Sequence, residues 1–317
     1  MNKDLQFYIK TKKDWDKFAS VRNSNKSYDL GLENDITNSN LNWNLPSYTK
    51  ILEHKDLQSI TDEQKRFVMG TQLLEFVEKT TILEVDYVNK VANNIALGKY
   101  NLEIPEILKL DALKIYTDEG FHAHFSKEMS DQIKSYYKIS DDITPYLKNF
   151  FVKLNDIGSK FGPKNTYLSE LASTIVSETL IVQDISNEMK GIVYEPIKEM
   201  FRDHMVDEAY HANYFSTFFK IIWPQLPNEK KEILGFNLCE ALILLNKPRV
   251  DIFYYSLSKI GFDRNQISKY INEIYNDEDA QIKNIKKRSS NFLKLLNNCK
   301  VFDIRPVKEK FVENNLL

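Results

Sequence analysis

The sequence predicts an all-α fold, a bundle of long antiparallel helices with further helices on its flanks, and three observations carry that prediction. Glycine and proline are scarce, nine of each in 317 residues, too few for the many tight turns of an all-β chain. Helical periodicity runs through the middle of the chain in long stretches with short connections, the pattern of an antiparallel bundle. The pattern D-E-x-x-H occurs twice on different expected helices, as DEGFH at 118–122 and DEAYH at 207–211, and paired E-x-x-H motifs have a precedent in the dinuclear metal sites of helical bundles.

Residues 1–60 read as an N-terminal arm packed on the bundle. It is irregular through VRNSNKSYDLGLENDITNSNLNWNLPSY and carries at most a short helix near 12–20. Thr61 suits an N-cap before DEQKRF, where the helical periods begin. Long helices are expected over about 70–97, closed by Gly98, then 104–137, 144–159, 165–190, closed by Gly191, and 195–221. Shorter ones follow over 227–246, 249–260 and 265–297. Pro105, Pro145, Pro196 and Pro227 sit near helix starts, where the missing N–H costs nothing, while Pro163 and Pro224 fall in connections. The helical domain therefore spans 61–297, and residues 298–317 form a C-terminal tail without a clear period.

Bulk composition excludes several classes of function. Lys plus Arg (43) nearly balances Asp plus Glu (45), so no basic surface for nucleic acid is expected. Cys239 and Cys299 are the two cysteines, too few for a disulfide framework or a Cys-rich zinc site, which fits a reducing compartment. The N-terminal residues lack the apolar core of a signal peptide and no run of 18 apolar residues occurs. A soluble, cytoplasmic protein without membrane contact is the expectation.

The chemistry is concentrated in a few residues. Glu and His three apart on a helix share a face, so Glu119 with His122, and Glu208 with His211, can each address one metal ion. Two more carboxylates from two other helices would complete a di-metal site. Glu178 in LASTIVSETLIVQDI lies among Leu171, Thr174, Ile175, Ile181, Val182 and Ile185, and Glu84 in FVEKTTILEVDYVNKVA shares its stripe with Val77, Thr80, Thr81, Tyr87, Val88 and Val91. A carboxylate on an apolar face needs a cation or a hydrogen-bonding partner. Taken singly, Glu84 is equally read as a solvated residue beside Glu75 and Glu78, Glu178 as the partner of a Lys or Arg, and the two E-x-x-H pairs as structural. The order Glu, E-x-x-H, Glu, E-x-x-H, one element per long helix, favours the metal reading and places its core at 70–222. Asp118 and Asp207 precede the motif glutamates, and the expected contacts are crossed, Asp207 to His122 and Asp118 to His211, because a metal-bound imidazole commonly donates its other N–H to a carboxylate; both Asp residues in water is the alternative. His204 lies one turn before Glu208 on the same stripe and is a third imidazole candidate, or else a packing histidine. His124 and His54 read as structural or exposed.

The set Glu84, Glu119-x-x-His122, Glu178, His204-x-x-x-Glu208-x-x-His211 resembles the seven-ligand pattern of the di-iron N-oxygenases typified by p-aminobenzoate N-oxygenase, over roughly residues 70–220. The resemblance implies a ferritin-like bundle with a four-helix di-metal core. It further implies two non-haem iron ions, O2 as co-substrate, an external electron donor, a small-molecule amine as substrate, and stepwise oxidation at nitrogen to hydroxylamine, nitroso or nitro products. A homodimer fits the same resemblance. Manganese suits the same donors. Tyr210 and Phe121 precede the motif histidines, where the wider superfamily often has other residues, and no substrate-binding residue carries over. The other readings are a di-iron hydroxylase or desaturase acting at carbon, and a non-enzymatic iron-binding ferritin-like protein. A ribonucleotide reductase small subunit, which resembles this chain in its paired motifs, carries a radical tyrosine four residues after the first motif histidine, where Ser126 stands.

Overall fold

In the computed structural model, which describes residues 2–23, 28–31, 49–191 and 194–317, every regular element is helical. The fold is all-α and ferritin-like, as the sequence predicts, and most of the polar run from Val21 to Tyr48 lies outside the described residues.

Among the described residues, the arm carries more helix than expected. Helix α1 (Lys3–Thr11) and the single turn α2 (Trp15–Phe18) lead into a 3-10 turn at Ser20–Asn23, so the short helix expected near 12–20 is the turn α2, and α1 before it was not expected. Lys12 and Ala19 are extended, with ψ of 140° and 134°, and bound the second piece. Tyr8 is fully buried and draws α1 onto the bundle.

Helix α3 (Asp62–Leu83) starts at a full capping box, in which the Thr61 side chain takes the Gln64 N–H and the Gln64 side chain takes the Thr61 N–H. This adds about two turns before residue 70. A π-helical turn (Glu84–Val88) follows without a break and continues into α4 (Asn89–Ala96). Gly98, at φ +65°, ends the run in a conformation that favours glycine.

Helix α5 (Glu106–Tyr137) begins after Pro105 at its N-cap and ends at Lys138 in the left-handed region. Helices α6 (Thr144–Ser159), α7 (Thr166–Glu188) and α8 (Glu195–Ile222) follow, with Pro145 and Pro196 in the first turns of α6 and α8. The four-helix core consists of α3 with its π turn and α4, α5, α7 and α8: α3 and α4 pack along α5, α7 along α8, and α5 and α8 face each other. Beyond the site, Tyr214, Phe215, Phe218, Phe219 and Ile222 of α8 are fully buried, and each contributes roughly 1.5–3 kcal/mol by leaving water.

Helix α9 (Asn228–Asn246) covers α7, and α10 (Asp251–Lys259) packs on α3. The expected single helix at 265–297 is three: α11 (Arg264–Tyr275), α12 (Glu278–Arg288) and α13 (Ser290–Asn298). Asp277 caps α12 by accepting the Ala280 N–H, and Ser289 separates α12 from α13. The tail is ordered as well. Helix α14 (Arg305–Glu313) buries Val307 and Phe311 against α9.

Candidate metal centre

Four helices turn ionisable side chains into one interior space. α5 supplies Glu119 and His122, α8 supplies His204, Glu208 and His211, the π turn supplies Glu84, and α7 supplies Glu178; all seven are buried. The three- and four-residue spacings on α5 and α8 put those donors on single stripes. Glu84 stands at the first position of the π turn, a one-residue expansion of the helix that often marks functional sites.

The donors interleave. His122 directs Nδ1 toward Glu119 Oε2 at 3.3 Å, Glu208 Oε1 at 3.4 Å and Glu84 Oε1 at 4.0 Å. His204 directs Nε2 toward Glu208 Oε1 at 3.0 Å and Glu84 Oε1 at 3.2 Å. His211 directs Nδ1 toward Glu119 Oε1 at 3.0 Å, Glu208 Oε2 at 3.5 Å and Glu178 Oε2 at 3.6 Å. Glu119 and Glu208 therefore lie between the imidazoles, with Glu84 on the His122 and His204 side and Glu178 on the His211 side.

Two overlapping groups of four, Glu84 with His122, His204 and Glu208, and Glu119 with His122, Glu208 and His211, hold one donor atom from each residue within 4.8 Å of the others and could each hold a metal ion. Glu178 belongs to neither group and borders the second through His211.

The far nitrogens of two imidazoles face carboxylates across the bundle. His122 Nε2 is 3.1 Å from Asp207 Oδ2, and His211 Nε2 is 3.2 Å from Asp118 Oδ2. A proton on each Nε2 satisfies these contacts and aims the lone pair of Nδ1 at the glutamates. Asp118 also accepts the Trp15 indole N–H, at 2.9 and 2.8 Å to its two oxygens. Asp207 accepts the Ser20 N–H at 3.1 and 3.2 Å, and the Ser20 hydroxyl donates to it too.

Charge is balanced unevenly when only the protein groups are present. Burial opposes the charged imidazole of His122, but hydrogen bonds with Asp207, Glu119 and Glu208 hold it well above the usual histidine range. For His211, too, burial is outweighed, by Glu119 and Glu208, and its affinity for a proton is raised well above the usual range. Burial also opposes ionisation of Glu208, yet the three imidazoles hold it well below the usual carboxylate range. Glu84 is pushed up to about 7, chiefly by burial. Burial raises Glu178 strongly, and repulsion from Glu208 and Glu119 adds to it.

This donor set fits metal ions. Glu84 Oε2, Glu119 Oε1, Glu178 Oε2, Glu208 Oε2 and His211 Nδ1 are buried without a hydrogen bond; His211 Nδ1 and Glu119 Oε1 are close but not aligned as donor and acceptor. Leaving so many polar atoms unsatisfied in one place costs about 1–3 kcal/mol apiece, and cations among them would remove that cost. Imidazole and carboxylate donors suit iron or manganese.

The remaining histidines stand apart. His124 is exposed, 3.6 Å from Glu128, and His54 is buried, contacting Glu273 at 2.9 Å and accepting the Asp56 N–H. Trp15 and Ser20 are the site residues that sequence reasoning missed. They lie in the arm, 103 and 187 residues from the carboxylates they hold, and no local spacing marks them.

Compared with models of known protein families, residues 19–298 match the one described as p-aminobenzoate N-oxygenase AurF. No curated protein matches the chain.

Proposed function

Because the chain belongs to the p-aminobenzoate N-oxygenase AurF family, we propose that it is a non-haem di-iron oxygenase that oxidises an amine, an arylamine in particular, at nitrogen. Glu84, His122 and His204 would hold one ion and Glu178 and His211 the other, with Glu119 and Glu208 between them. When bound, the two ions supply the redox chemistry that activates O2 for transfer of oxygen to nitrogen, with electrons from an external donor.

The chain's own part is to position, to dry the site and to hold protons. Asp207 and Asp118 keep the Nε2 protons of His122 and His211, so that Nδ1 of each stays available. Phe125 packs against the rings of His122 and His204, with centroids 5.4 and 5.6 Å away, and helps to exclude water. His204 makes one side of the centre richer in nitrogen than the other, and we assign it as the seventh ligand.

One observation carries the reading: seven buried donors from four helices converge with five of their polar atoms unpaired. A cytoplasmic homodimer completes the proposal. Both cysteines are free, and among the described residues no helix is long and apolar enough to cross a membrane.

The test is a single turnover of iron-loaded, reduced protein with isotopically labelled O2 and a panel of arylamines, read by product mass. Label at nitrogen is expected. Oxidation confined to carbon would replace the proposal with a hydroxylase or desaturase, and iron mineralised inside a hollow shell, with no organic product, would replace it with iron storage.

A further inference from the structure

The arm does more than cover the bundle. Its Trp15 N–H forks onto both oxygens of Asp118, whose Oδ2 faces His211 Nε2. Its Ser20 N–H forks onto both oxygens of Asp207, whose Oδ2 faces His122 Nε2. Two separate relays thus run from one short segment to two imidazoles of the site.

We propose that Trp15 and Ser20 are positioning residues of the metal centre, Trp15 setting His211 through Asp118 and Ser20 setting His122 through Asp207. The proposal rests on the di-iron reading of the site. Asp118 and Asp207 are 1% and 3% exposed, so little water reaches them to replace a lost donor, and a buried carboxylate held on one side alone is less firmly aimed at its imidazole. The segment is fixed independently of these contacts. The Tyr8 hydroxyl donates to Asp111 at 2.8 Å and Lys12 Nζ reaches the same carboxylate at 2.6 Å, while Asp111 lies two helical turns before Asp118 on α5. The Arg22 guanidinium lies 5.6 Å over the Trp15 ring. The arm buries Leu5, Tyr8 and Ala19 and in addition aims N–H groups at the two carboxylates behind the motif histidines.

In the assignment proposed above the two relays end on histidines that hold different ions, so their effects separate. The experiment follows the release of ferrous iron from the loaded full-length protein to a chromogenic ferrous chelator, with the unfolding midpoint of each metal-free protein measured alongside. Wild type is expected to hold two ions and release them in two phases. Trp15→Phe, which keeps a ring and loses the N–H, accelerates one phase roughly threefold to tenfold, a range at and below the effect of removing a direct partner of a metal-bound histidine. Ser20→Ala, which keeps the backbone donor, accelerates the other phase by less. Lys12→Ala, which removes one of the two contacts to Asp111 and leaves the Tyr8 hydroxyl bond in place, serves as the control for a general change in the arm and leaves both phases unchanged.

Unchanged release from Trp15→Phe overturns the proposal, as does equal acceleration by Lys12→Ala, or both variants acting on the same phase. Should Trp15→Phe fail to fold, Ser20→Ala decides, since one accelerated phase supports the relay and none overturns it. Wild-type protein that binds no iron would instead overturn the di-iron reading beneath it.

Discussion

Glu84 Oε1 lies 3.2 Å from His204 Nε2, a contact between the π turn and the one imidazole of the centre that lies outside both D-E-x-x-H motifs. Both groups also approach the central carboxylates from the side opposite Glu178. His204→Ala is therefore expected to keep iron on the His211 side and to weaken it on its own side. Metal analysis after dialysis should show retained but reduced iron, and N-oxygenated product should drop at least roughly tenfold, since losing even an outer partner of a metal ligand commonly costs that much. Unchanged turnover would make His204 a packing residue.

Glu178 gives a prediction with opposite signs in the two states of the protein. In the metal-free chain its affinity for a proton is raised, by burial and then by Glu208 and Glu119. A carboxyl group raised in the folded state favours folding at pH below its unfolded value and loses that contribution as pH climbs through the folded one. Glu178→Gln should then stabilise the metal-free protein at pH 8, by roughly 1–2 kcal/mol for relief of one buried charge, and change little near pH 4. The same variant should lose iron. Thermal melts at the two pH values and metal analysis check both halves, and full iron content would remove Glu178 from the ligand set.

Iron itself should stabilise the fold, because the donors converge only once α3, α5, α7 and α8 are packed. Free ferrous ion at a hundred times its dissociation constant adds about 2.7 kcal/mol. The rise in melting temperature should be abolished by a chelator and should shrink in acid, since His122 and His211 must give up protons to bind. A melting temperature indifferent to iron would count against the centre.

Gly235 tests the C-terminal helix without touching the site. A Cβ there would stand 2.6 and 2.7 Å from the two methyl carbons of Val307, so Gly235→Ala must push α14 off α9. A loss of about 1–3 kcal/mol is expected, typical of overpacking, with iron content unaffected. Urea melts measure the first and metal analysis the second.

The legible part of this molecule was its periodic part. The stripes of α5 and α8 come from spacings within a few residues, and the apolar settings of Glu84 and Glu178 can be read from immediate neighbours. Two kinds of feature were hidden. One is local but not periodic: the π turn at Glu84–Val88 and the breaks at Asp277 and Ser289 interrupt a run whose composition stays helical. The other is remote: Trp15 and Ser20 sit in a polar segment of weak pattern, and their role exists only in the folded chain. The tail was unreadable for a related reason, as Val307 and Phe311 are too few to declare a period yet enough to dock one short helix.

The arm also bears on the order of events during synthesis. Ser20 and its partner Asp207 are 187 residues apart in the chain. Closing so long a loop carries an entropic cost that only a nearly complete bundle can offset. The Ser20 contact to Asp207 therefore forms only after α8 has been made, whereas the Trp15 contact to Asp118 needs α5 alone.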